Sequence, residues 1–391
     1  MSSQMNFSVA PEVIRNIRSV SGLPPAEALS NVQERLDRLE NVTLDIAVTG
    51  ETGAGKSTFV NALLGLRDGD PGSAETGVTE TTLEPSRYPH PTMPNVNIWD
   101  LPGIGGIKFK AKDYLKQVQF DRYDFFIIVS SGRFREHDIM LAREIQKKKK
   151  LFYFVRSKID GDIQAEQRKP NHDIQNTLSR IRENCVENLI EIGGPKVFLI
   201  SSFNLEMYDF LELTNTLRAD LPEHKSHALI QSLPVCSLQM IEEKKKTFEE
   251  VMWASSFASA AIAVIPIPGL SAACDTGILV AFLLKCYHSF GLDEKSLKRL
   301  SERMNKPVED LKAVMTSPYA GGVNKKAVLR VLASATIGGA MALEYLLSNI
   351  PVVGSLAAGG ISFATTYYLL NTGLDDMAKD AKAVLTAAGL E

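Results

Sequence analysis

The hydrophobic pattern of the chain changes twice along its length. Residues 10–40 contain apolar side chains at helical spacing, whereas from about residue 42 to 222 short β-branched and aromatic runs alternate with helical stretches. After about residue 225 the strand signals fade, and Leu, Ala and Met dominate a sequence typical of helices. The pattern therefore predicts a mixed α/β region between two helical regions.

Short apolar runs within the mixed region are predicted to be β-strands, because they are nearly continuous and rich in β-branched or aromatic residues. Near-continuous apolar strands that alternate with helices are typical of a parallel sheet covered on both faces. We therefore predict an α/β fold with a doubly wound, mostly parallel sheet. The predicted strands are residues 44–48, 95–99, 125–129, 151–155 and 196–200.

These patterns predict the domain organisation. Residues 42–225 are expected to form one domain, which ends near the segment L-P-E-H-K at 221–225. Residues 226–391 are expected to form an all-α helical domain. The helices within residues 1–41 have no core of their own, so they are expected to pack with the helical domain.

Two stretches, 251–284 and 345–374, are apolar enough to suggest transmembrane helices. Each is interrupted by proline and glycine, at 265–269 and 350–354, which favours a turn between two helices. Many of their residues are Ala, Ser and Gly, which contribute little free energy of membrane insertion. Burial in the helical core is the favoured interpretation, and membrane contact is the alternative.

The amino-acid composition indicates a globular protein and gives no sign of a nucleic-acid-binding one. The chain is 45% apolar and 23% charged with a net charge of −3, which is ordinary for a globular protein and gives no basic surface for nucleic acid. The four cysteines form no C-x-x-C pair and are interpreted as reduced thiols of a cytosolic protein. We find no signal-peptide pattern and no myristoylation or prenylation signal, so we expect a cytoplasmic protein with at most peripheral membrane association.

The segment G-E-T-G-A-G-K-S-T at 50–58 follows the first predicted strand and fits the pattern G-x-x-x-x-G-K-[ST]. Its glycines would let successive backbone N–H groups point at a phosphate. Lys56 would neutralise the β- and γ-phosphates, and Ser57 would bind Mg²⁺. A helix starting near Lys56 would direct the positive end of its dipole at the same phosphates. The predicted phosphate-binding residues are Gly50, Glu51, Thr52, Gly53, Ala54, Gly55, Lys56, Ser57 and Thr58.

A second motif, W-D-L-P-G at 99–103, ends the second predicted strand. Asp100 is predicted to hold Mg²⁺ through water, and the backbone N–H of Gly103 to sense the γ-phosphate. An acidic residue at the carboxyl end of a parallel strand can lie beside a phosphate-binding loop. One threonine of the preceding loop is expected to contact Mg²⁺ or the γ-phosphate, and the candidates are Thr76, Thr79 and Thr82.

A third motif, R-S-K-I-D at 156–160, follows the fourth predicted strand. The carboxylate of Asp160 could accept hydrogen bonds from both N1–H and the exocyclic amine of guanine, a donor pair that adenine lacks. Lys158 is expected to line the base. Ser157 stands where guanine-binding domains usually carry Asn or Thr, and it keeps a hydroxyl. Two small residues after the fifth predicted strand are expected beside the base, namely Ser201 and Ser202.

The chain resembles the interferon-inducible immunity-related GTPases, in the group with lysine in the phosphate loop. The resemblance is close across about 42–225 and weaker through the helical half. It implies a P-loop GTPase domain that binds GTP and GDP with Mg²⁺, together with a helical domain built from both chain ends. The motifs that carry it are G-E-T-G-A-G-K-S-T, E-T-G-V-T-E (75–80), W-D-L-P-G-I-G (99–105), Y-D-F-F-I-I (123–128) and F-Y-F-V-R-S-K-I-D (152–160).

The resemblance also implies dynamin-like behaviour, with nucleotide-dependent self-association through G domains that meet face to face. It places this activity on intracellular or pathogen-containing membranes, such as endoplasmic reticulum, Golgi or vacuolar membrane, in cell-autonomous innate defence. The expected partners are a second copy of the chain, related GTPases and membrane lipid, and not nucleic acid. The family's two active-site glutamates match Glu51 and Glu80, which with Lys56 form the predicted catalytic set.

Other functions stay open at this point. Many small GTPases position water with a glutamine just after D-x-x-G, but residues 104–107 read I-G-G-I. The attacking water must therefore be positioned by another group. A GTP-dependent switch or scaffold with little hydrolysis is one alternative function, and an ATP-using P-loop enzyme is another. His90, in a proline-rich segment, and His137 are interpreted as surface histidines and not as general bases.

Overall fold

The computed structural model of the chain describes residues 25–77, 82–104, 110–263, 270–334 and 357–390. The chain divides into two compact units. One is Val42–Pro234, and the other combines Met1–Asn41 with Val235–Glu391.

The first unit is built on a six-stranded sheet. Its strands are β1 (Leu44–Gly50), β2 (Ser86–His90), β3 (Met93–Asp100), β4 (Phe125–Ser130), β5 (Leu151–Arg156) and β6 (Val197–Leu199). They are arranged in the order β2-β3-β1-β4-β5-β6, and all neighbours are parallel except the antiparallel pair of β2 and β3. The predicted α/β class with a mostly parallel sheet is confirmed.

Helices cover the sheet and form the whole of the second unit as far as it is described. In chain order they are α1 (Pro25–Glu40), α2 (Lys56–Leu63), α3 (Ala111–Gln117), α4 (Glu136–Lys147), α5 (Ile159–Glu166), α6 (Ile174–Asn188), α7 (Phe210–Asp220), α8 (Glu223–Ser232), α9 (Leu238–Ala263), α10 (Leu270–Ser289), α11 (Glu294–Met304), α12 (Val308–Ala313), α13 (Lys325–Ser334) and α14 (Ala357–Ala388). Short 3₁₀ helices lie at Phe120–Arg122 and Ile190–Ile192.

The central strands show why the apolar runs of the sequence are continuous. Every residue of β4 is buried, because helices pack on both faces of the sheet. Phe126 and Ile128 on one face contact the same apolar cluster as Leu141 and Ile145 of α4. Helix α8 packs on β1 and β3, so the unit that contains the sheet extends to Pro234.

Strand β2 is absent from the strands that the sequence predicts. The interpretation of its last residue, His90, as a surface histidine in a proline-rich loop is wrong, because His90 is buried at the end of β2. Pro89 is tolerated within this strand because β2 is the outermost strand of the sheet, where a missing backbone N–H need not break a ladder.

The second unit has an apolar core of its own. In this unit α1 packs against α9, and α9 packs against α10 and α14. Described residues of both long apolar stretches lie in this core, among them Trp253, Phe282 and Leu370. The two proline-glycine interruptions, at 265–269 and 350–354, lie outside the described residues. Within the described ranges, no helix has the length and apolar character that a membrane span requires.

Candidate active site

Parallel strands bring distant motifs together at the carboxyl edge of the sheet. The pairing of β1 with β3 sets Val48 beside Asp100, and the pairing of β1 with β4 sets Gly50 beside Val129. The loops that leave this edge contain all three predicted motifs. They comprise residues 51–55 after β1, 101–104 after β3, 131–135 after β4, 157–158 after β5 and 200–209 after β6.

The first loop requires glycine at two positions for different reasons. Gly50 has φ 140°, and a Cβ atom there would lie 2.0 Å from the carbonyl oxygen of Val129. Gly55 has φ 85° and caps the N-terminus of α2 in the left-handed conformation. The carbonyl of Glu51 accepts hydrogen bonds from Lys56 Nζ at 3.0 Å and from the Ala54 N–H at 3.2 Å. The loop therefore curls around the start of α2.

The other predicted residues of this loop differ in accessibility. Thr52 and Gly53 are exposed, Ala54 is buried, and Thr58 is partly buried in the first turn of α2. Lys56 is buried with its amine directed back at the loop backbone. The exposed residues leave the loop accessible to an anion, and the backbone N–H groups of the loop and the ammonium group of Lys56 could both bind it.

Asp100 is the centre of a group of hydroxyl donors. Its Oδ2 atom accepts hydrogen bonds from Ser57 Oγ at 2.5 Å and from Thr82 Oγ1 at 3.0 Å. Its Oδ1 atom is buried and has no hydrogen-bond partner among the described residues. Burial raises the pKa of Asp100, against the Ser57 hydrogen bond and the positive charge of Lys56.

This set of oxygen atoms fits a hydrated divalent cation. Carboxylate and hydroxyl oxygens are the ligands that Mg²⁺ prefers, and Mg²⁺ usually keeps several waters, one of which could donate to the unpaired Oδ1 of Asp100. Of the two candidate threonines within the described residues, Thr76 and Thr82, it is Thr82 whose hydroxyl reaches Asp100. Thr76 is partly buried, and Thr79 and Glu80 lie outside the described residues.

The loop after β5 is attached to the first loop by two side chains. Ser157 Oγ donates to the carbonyl of Ala54 at 2.6 Å, and Lys158 Nζ donates to the carbonyl of Gly53 at 2.9 Å. Lys158 adopts a left-handed backbone conformation with φ 59°. Arg156 steadies this turn, because its guanidinium donates to the carbonyl of Ser157 and to Asp162 Oδ2.

Asp160 follows at the start of α5, and one of its carboxylate oxygens is unsatisfied. Oδ1 is buried without a hydrogen-bond partner in the described part of the chain. A buried acceptor without a donor is costly, so a ligand that brings N–H groups to it is favoured.

Ser201 is fully buried and accepts a hydrogen bond from the Asn204 N–H, whereas Ser202 is partly buried. The Ile159 N–H donates to the Ile200 carbonyl and links these two loops.

Two residues at the start of α4 belong to the site but do not stand out in the sequence. Arg135 Nη1 lies 3.3 Å from Glu51 Oε2 in an ion pair. Asp138 is fully buried; its Oδ2 accepts the backbone N–H of Arg135, and its Oδ1 has no partner among the described residues. Burial raises the pKa of Asp138 to about 7, and the negative charge of Glu51 adds to this effect. Arg135 is not one of the Ser or Thr residues that begin a capping box, so the sequence marks this turn only by an acidic residue in the first turn of α4.

Comparison with known proteins identifies relatives across both units. A family described as interferon-inducible GTPase (IIGP) matches residues 11–388. Interferon-inducible GTPase 5 of Bos taurus is 43% identical over 377 residues, which cover 95% of this chain and 81% of that protein. Interferon-gamma-inducible GTPase 10 of Mus musculus is 38% identical over 92% of this chain and 85% of its own length. Interferon-inducible GTPase 1 of Mus musculus is 37% identical over 91% and 85%. The chain therefore belongs to the interferon-inducible GTPase family, and it is a GTPase.

Proposed function

We propose that this GTPase binds GTP and GDP with Mg²⁺ at the carboxyl edge of its sheet and self-associates when GTP is bound. In this proposal it acts at intracellular or pathogen-containing membranes in cell-autonomous innate defence. The observation that carries the nucleotide site is the convergence of Ser57 and Thr82 on one oxygen of Asp100, while the other oxygen stays buried and unpaired.

In this proposal each loop has a separate task. The backbone N–H groups of residues 53–58 and the amine of Lys56 hold the β- and γ-phosphates. Ser57 and Thr82 would bind Mg²⁺ directly and Asp100 through water, and the bound ion would offset negative charge on the phosphate oxygens. Asp160 would accept from the guanine N–H groups while the Lys158 stem covers the base.

Hydrolysis requires a group that orients the attacking water. Because the sequence I-G-G-I at 104–107 contains no side chain for this task, we assign it to carboxylates. Glu51 is the candidate carboxylate within the described residues. Its ion pair with Arg135 holds this carboxylate beside the phosphate loop. Glu80, the second candidate from the family resemblance, is proposed to act from the segment 75–82, which we call the switch loop. Lys56 would stabilise the charge that develops on the transferred phosphoryl group.

Exposed apolar side chains support self-association through this edge. Leu83 directly follows Thr82 and is 73% exposed, and Phe203 directly follows Ser202 and is 62% exposed. Aromatic residues such as Phe203 are enriched at protein interfaces, where a few side chains contribute most of the binding free energy. A second copy that faces this edge would cover both residues and could complete the group of carboxylates around the water.

The rate of hydrolysis as a function of protein concentration tests this proposal. We expect the specific activity of the wild type to rise with concentration, because the active site is completed by a second molecule. Phe203→Ser should flatten this dependence. Ile190→Ser removes another exposed apolar side chain, in the 3₁₀ helix before β6 and away from the carboxyl edge, and should leave the dependence unchanged. A wild-type activity that is constant over a hundredfold range of concentration would contradict self-association as part of the mechanism.

A second experiment separates hydrolysis from a switch with little turnover. Glu51→Gln should lower single-turnover hydrolysis while GTP binding is retained, because the change removes charge and keeps the size of the side chain. Glu84→Gln, an exposed glutamate in the segment that follows the switch loop, is the matched control. Normal hydrolysis by Glu51→Gln would remove Glu51 from the catalytic set. Wild-type turnover too slow to measure at any concentration would favour the switch or scaffold.

Membrane action is what the resemblance in the sequence analysis implies, and it is tested separately. Purified protein is mixed with liposomes and floated on a density gradient with GTP, with GDP or with a non-hydrolysable GTP analogue. We expect recovery with the liposomes in the GTP-bound states and little recovery with GDP. Equal flotation in all three conditions would contradict nucleotide control of membrane binding.

A further inference from the structure

Tyr114 of α3 connects the strand before the phosphate loop to the loop after β3. Its side chain is buried at 7% exposure between these two segments. The phenol hydroxyl donates a hydrogen bond to the carbonyl oxygen of Pro102 at 3.0 Å. The same hydroxyl lies 2.8 Å from Oγ1 of Thr49, which is fully buried near the end of β1.

Which hydroxyl donates in the Thr49–Tyr114 hydrogen bond follows from the single proton that each hydroxyl carries. A phenol has one proton, and Tyr114 gives it to the Pro102 carbonyl, which can only accept. The Thr49 hydroxyl must therefore donate to Tyr114. Burial raises the pKa of Tyr114, so its hydroxyl remains a donor throughout the physiological pH range.

The carbonyl that Tyr114 holds belongs to the same peptide group as the N–H of Gly103. Among the described residues there is no cis peptide bond, and in a trans peptide the C=O and the N–H point in opposite directions. When Tyr114 draws the Pro102 carbonyl towards α3, the Gly103 N–H must point away from α3.

The backbone on both sides of this peptide is already fixed. The Leu101 N–H donates to the Val48 carbonyl, and the Ile104 N–H donates to the Gly50 carbonyl, both at 3.0 Å. Pro102 has no N–H. In the segment 101–104 the Gly103 N–H is thus the donor without a hydrogen-bond partner in the described part of the chain. It is available to an acceptor that a ligand brings.

We propose that Tyr114 is a positioning residue for the γ-phosphate. Through its bond to the Pro102 carbonyl it orients the Gly103 N–H towards the third phosphate of GTP, and Thr49 fixes the Tyr114 hydroxyl in this role. This inference rests on the proposed nucleotide site. The addition to that site is that discrimination between GTP and GDP depends on the buried hydroxyl of Tyr114, which does not contact the nucleotide.

Tyr114→Phe tests the inference because it removes one hydroxyl and little else. We expect affinity for a non-hydrolysable GTP analogue to fall about three- to tenfold, the effect of one hydrogen bond, while affinity for GDP is unchanged. The turnover number at saturating GTP should fall as well. The matched control is Tyr123→Phe, since the Tyr123 hydroxyl is also buried and donates to a backbone carbonyl, that of Val118, at 2.7 Å. This control should leave the ratio of the two affinities unchanged.

Thr49 supplies a second and independent pair of variants. Thr49→Val removes the donor to Tyr114 at constant shape and should lower the same ratio, whereas Thr49→Ser keeps the hydroxyl and should restore it. Calorimetry with both nucleotides measures the ratio, and thermal unfolding of each variant shows that the fold is intact. An unchanged ratio in Tyr114→Phe and Thr49→Val, or equal losses for GDP and the GTP analogue, would overturn the role of Tyr114. Failure of the wild type to bind either nucleotide would overturn the proposed site itself.

Discussion

The hydroxyl of Ser157 lies 2.6 Å from the carbonyl oxygen of Ala54 and donates a hydrogen bond to it. The two residues are 103 positions apart in the sequence, and both are buried. This bond joins the loop that carries Lys158 and Asp160 to the phosphate loop. Serine can therefore stand where related nucleotide-binding domains use Asn or Thr, because the contact requires one short donor.

Ser157→Ala should weaken nucleotide binding. The change leaves the buried carbonyl of Ala54 without this donor, at a cost of about 1–3 kcal/mol. It also leaves the bond from Lys158 Nζ to the Gly53 carbonyl as the remaining side-chain link between the two loops. We expect GDP and GTP to lose affinity equally, since the contact lies on the side of the base. Calorimetry with both nucleotides measures this loss.

Two controls accompany Ser157→Ala: one keeps a hydroxyl at position 157, and the other removes a hydroxyl elsewhere. Ser157→Thr retains the donor and should bind nucleotide like the wild type. Ser179→Ala removes an exposed hydroxyl from α6 and should have no effect. A Ser157→Ala protein with wild-type affinity would mean that the bond to Ala54 adds nothing to nucleotide binding beyond the link from Lys158 to Gly53.

Asp160→Asn should change base preference from guanine to xanthine. The unpaired Oδ1 of Asp160 needs a donor, and the guanine N1–H and amine supply two; an asparagine amide presents a donor that matches the xanthine oxygen instead. Loss of a hydrogen bond to a charged group predicts a decrease in GDP affinity of about 10- to 150-fold, with a gain for XDP. Competition binding with GDP, XDP and ADP measures the preference.

The control for Asp160 lies on the same helix. Glu166→Gln neutralises another acid of α5, one that is paired with Lys169, and should leave base preference unchanged. If Asp160→Asn still prefers GDP over XDP, then Asp160 is not the residue that reads the base.

The sequence was sufficient to predict which loops meet, because this follows from topology. Parallel strands must end at the same edge, so Asp100 at the end of β3 and Asp160 after β5 are expected near a phosphate loop that follows β1. Burial of the strands on both faces follows equally from their unbroken apolar runs. These features depend on local pattern and chain order, and both can be read without knowing tertiary contacts.

Features that arise only from tertiary contacts could not be predicted in this way. Segment 86–90 reads S-R-Y-P-H, which has no strand pattern, and it becomes β2 because β3 offers an unpaired edge. Tyr114 and Thr49 are 65 residues apart, and no periodicity links a helical tyrosine to a threonine in a strand. The burial of Asp138 likewise depends on how α4 packs, because acidic residues in a first helical turn are usually exposed.

Asp138 predicts a pH dependence of stability. Its pKa is about 7 in the folded protein and about 3.9 when unfolded, so between these values the folded state binds more protons. The contribution of Asp138 to the free energy of unfolding must then fall as pH rises from about 4 to 7. Asp138→Asn keeps an acceptor for the Arg135 N–H and should remove this fall, so that the variant gains stability relative to the wild type between pH 5 and pH 7.5.

Denaturant unfolding at several pH values measures this difference. Asp173→Asn, which changes the exposed capping acid of α6, should follow the wild-type profile because asparagine caps a helix as well as aspartate. Parallel profiles for Asp138→Asn and the wild type across this range would show that Asp138 ionises normally in the folded protein.

Lys244 of α9 predicts a pH dependence of stability whose sign is opposite to that predicted for Asp138. It is fully buried, its amine donates to Ser289 Oγ at 3.0 Å, and burial lowers its pKa to about 7. Between pH 7 and about 10.4 the unfolded state binds more protons than the folded state, so the contribution of Lys244 to stability must rise with pH in this window.

Lys244→Met should therefore stabilise the protein most strongly at and below pH 7, where folding must bury a charge or remove a proton. A gain of about 1–4 kcal/mol at pH 7 is expected, the range found when buried ion pairs are replaced by apolar residues. The gain should shrink as pH approaches 10. Lys246→Met, on the exposed side of the same helix, should change stability by less than about 0.5 kcal/mol. The quantity to compare is the difference between each variant and the wild type, because cysteines that ionise in the unfolded chain affect all of them alike. A Lys244→Met protein that is less stable than the wild type at pH 7 would mean that the hydrogen bond to Ser289 outweighs the cost of burying the amine.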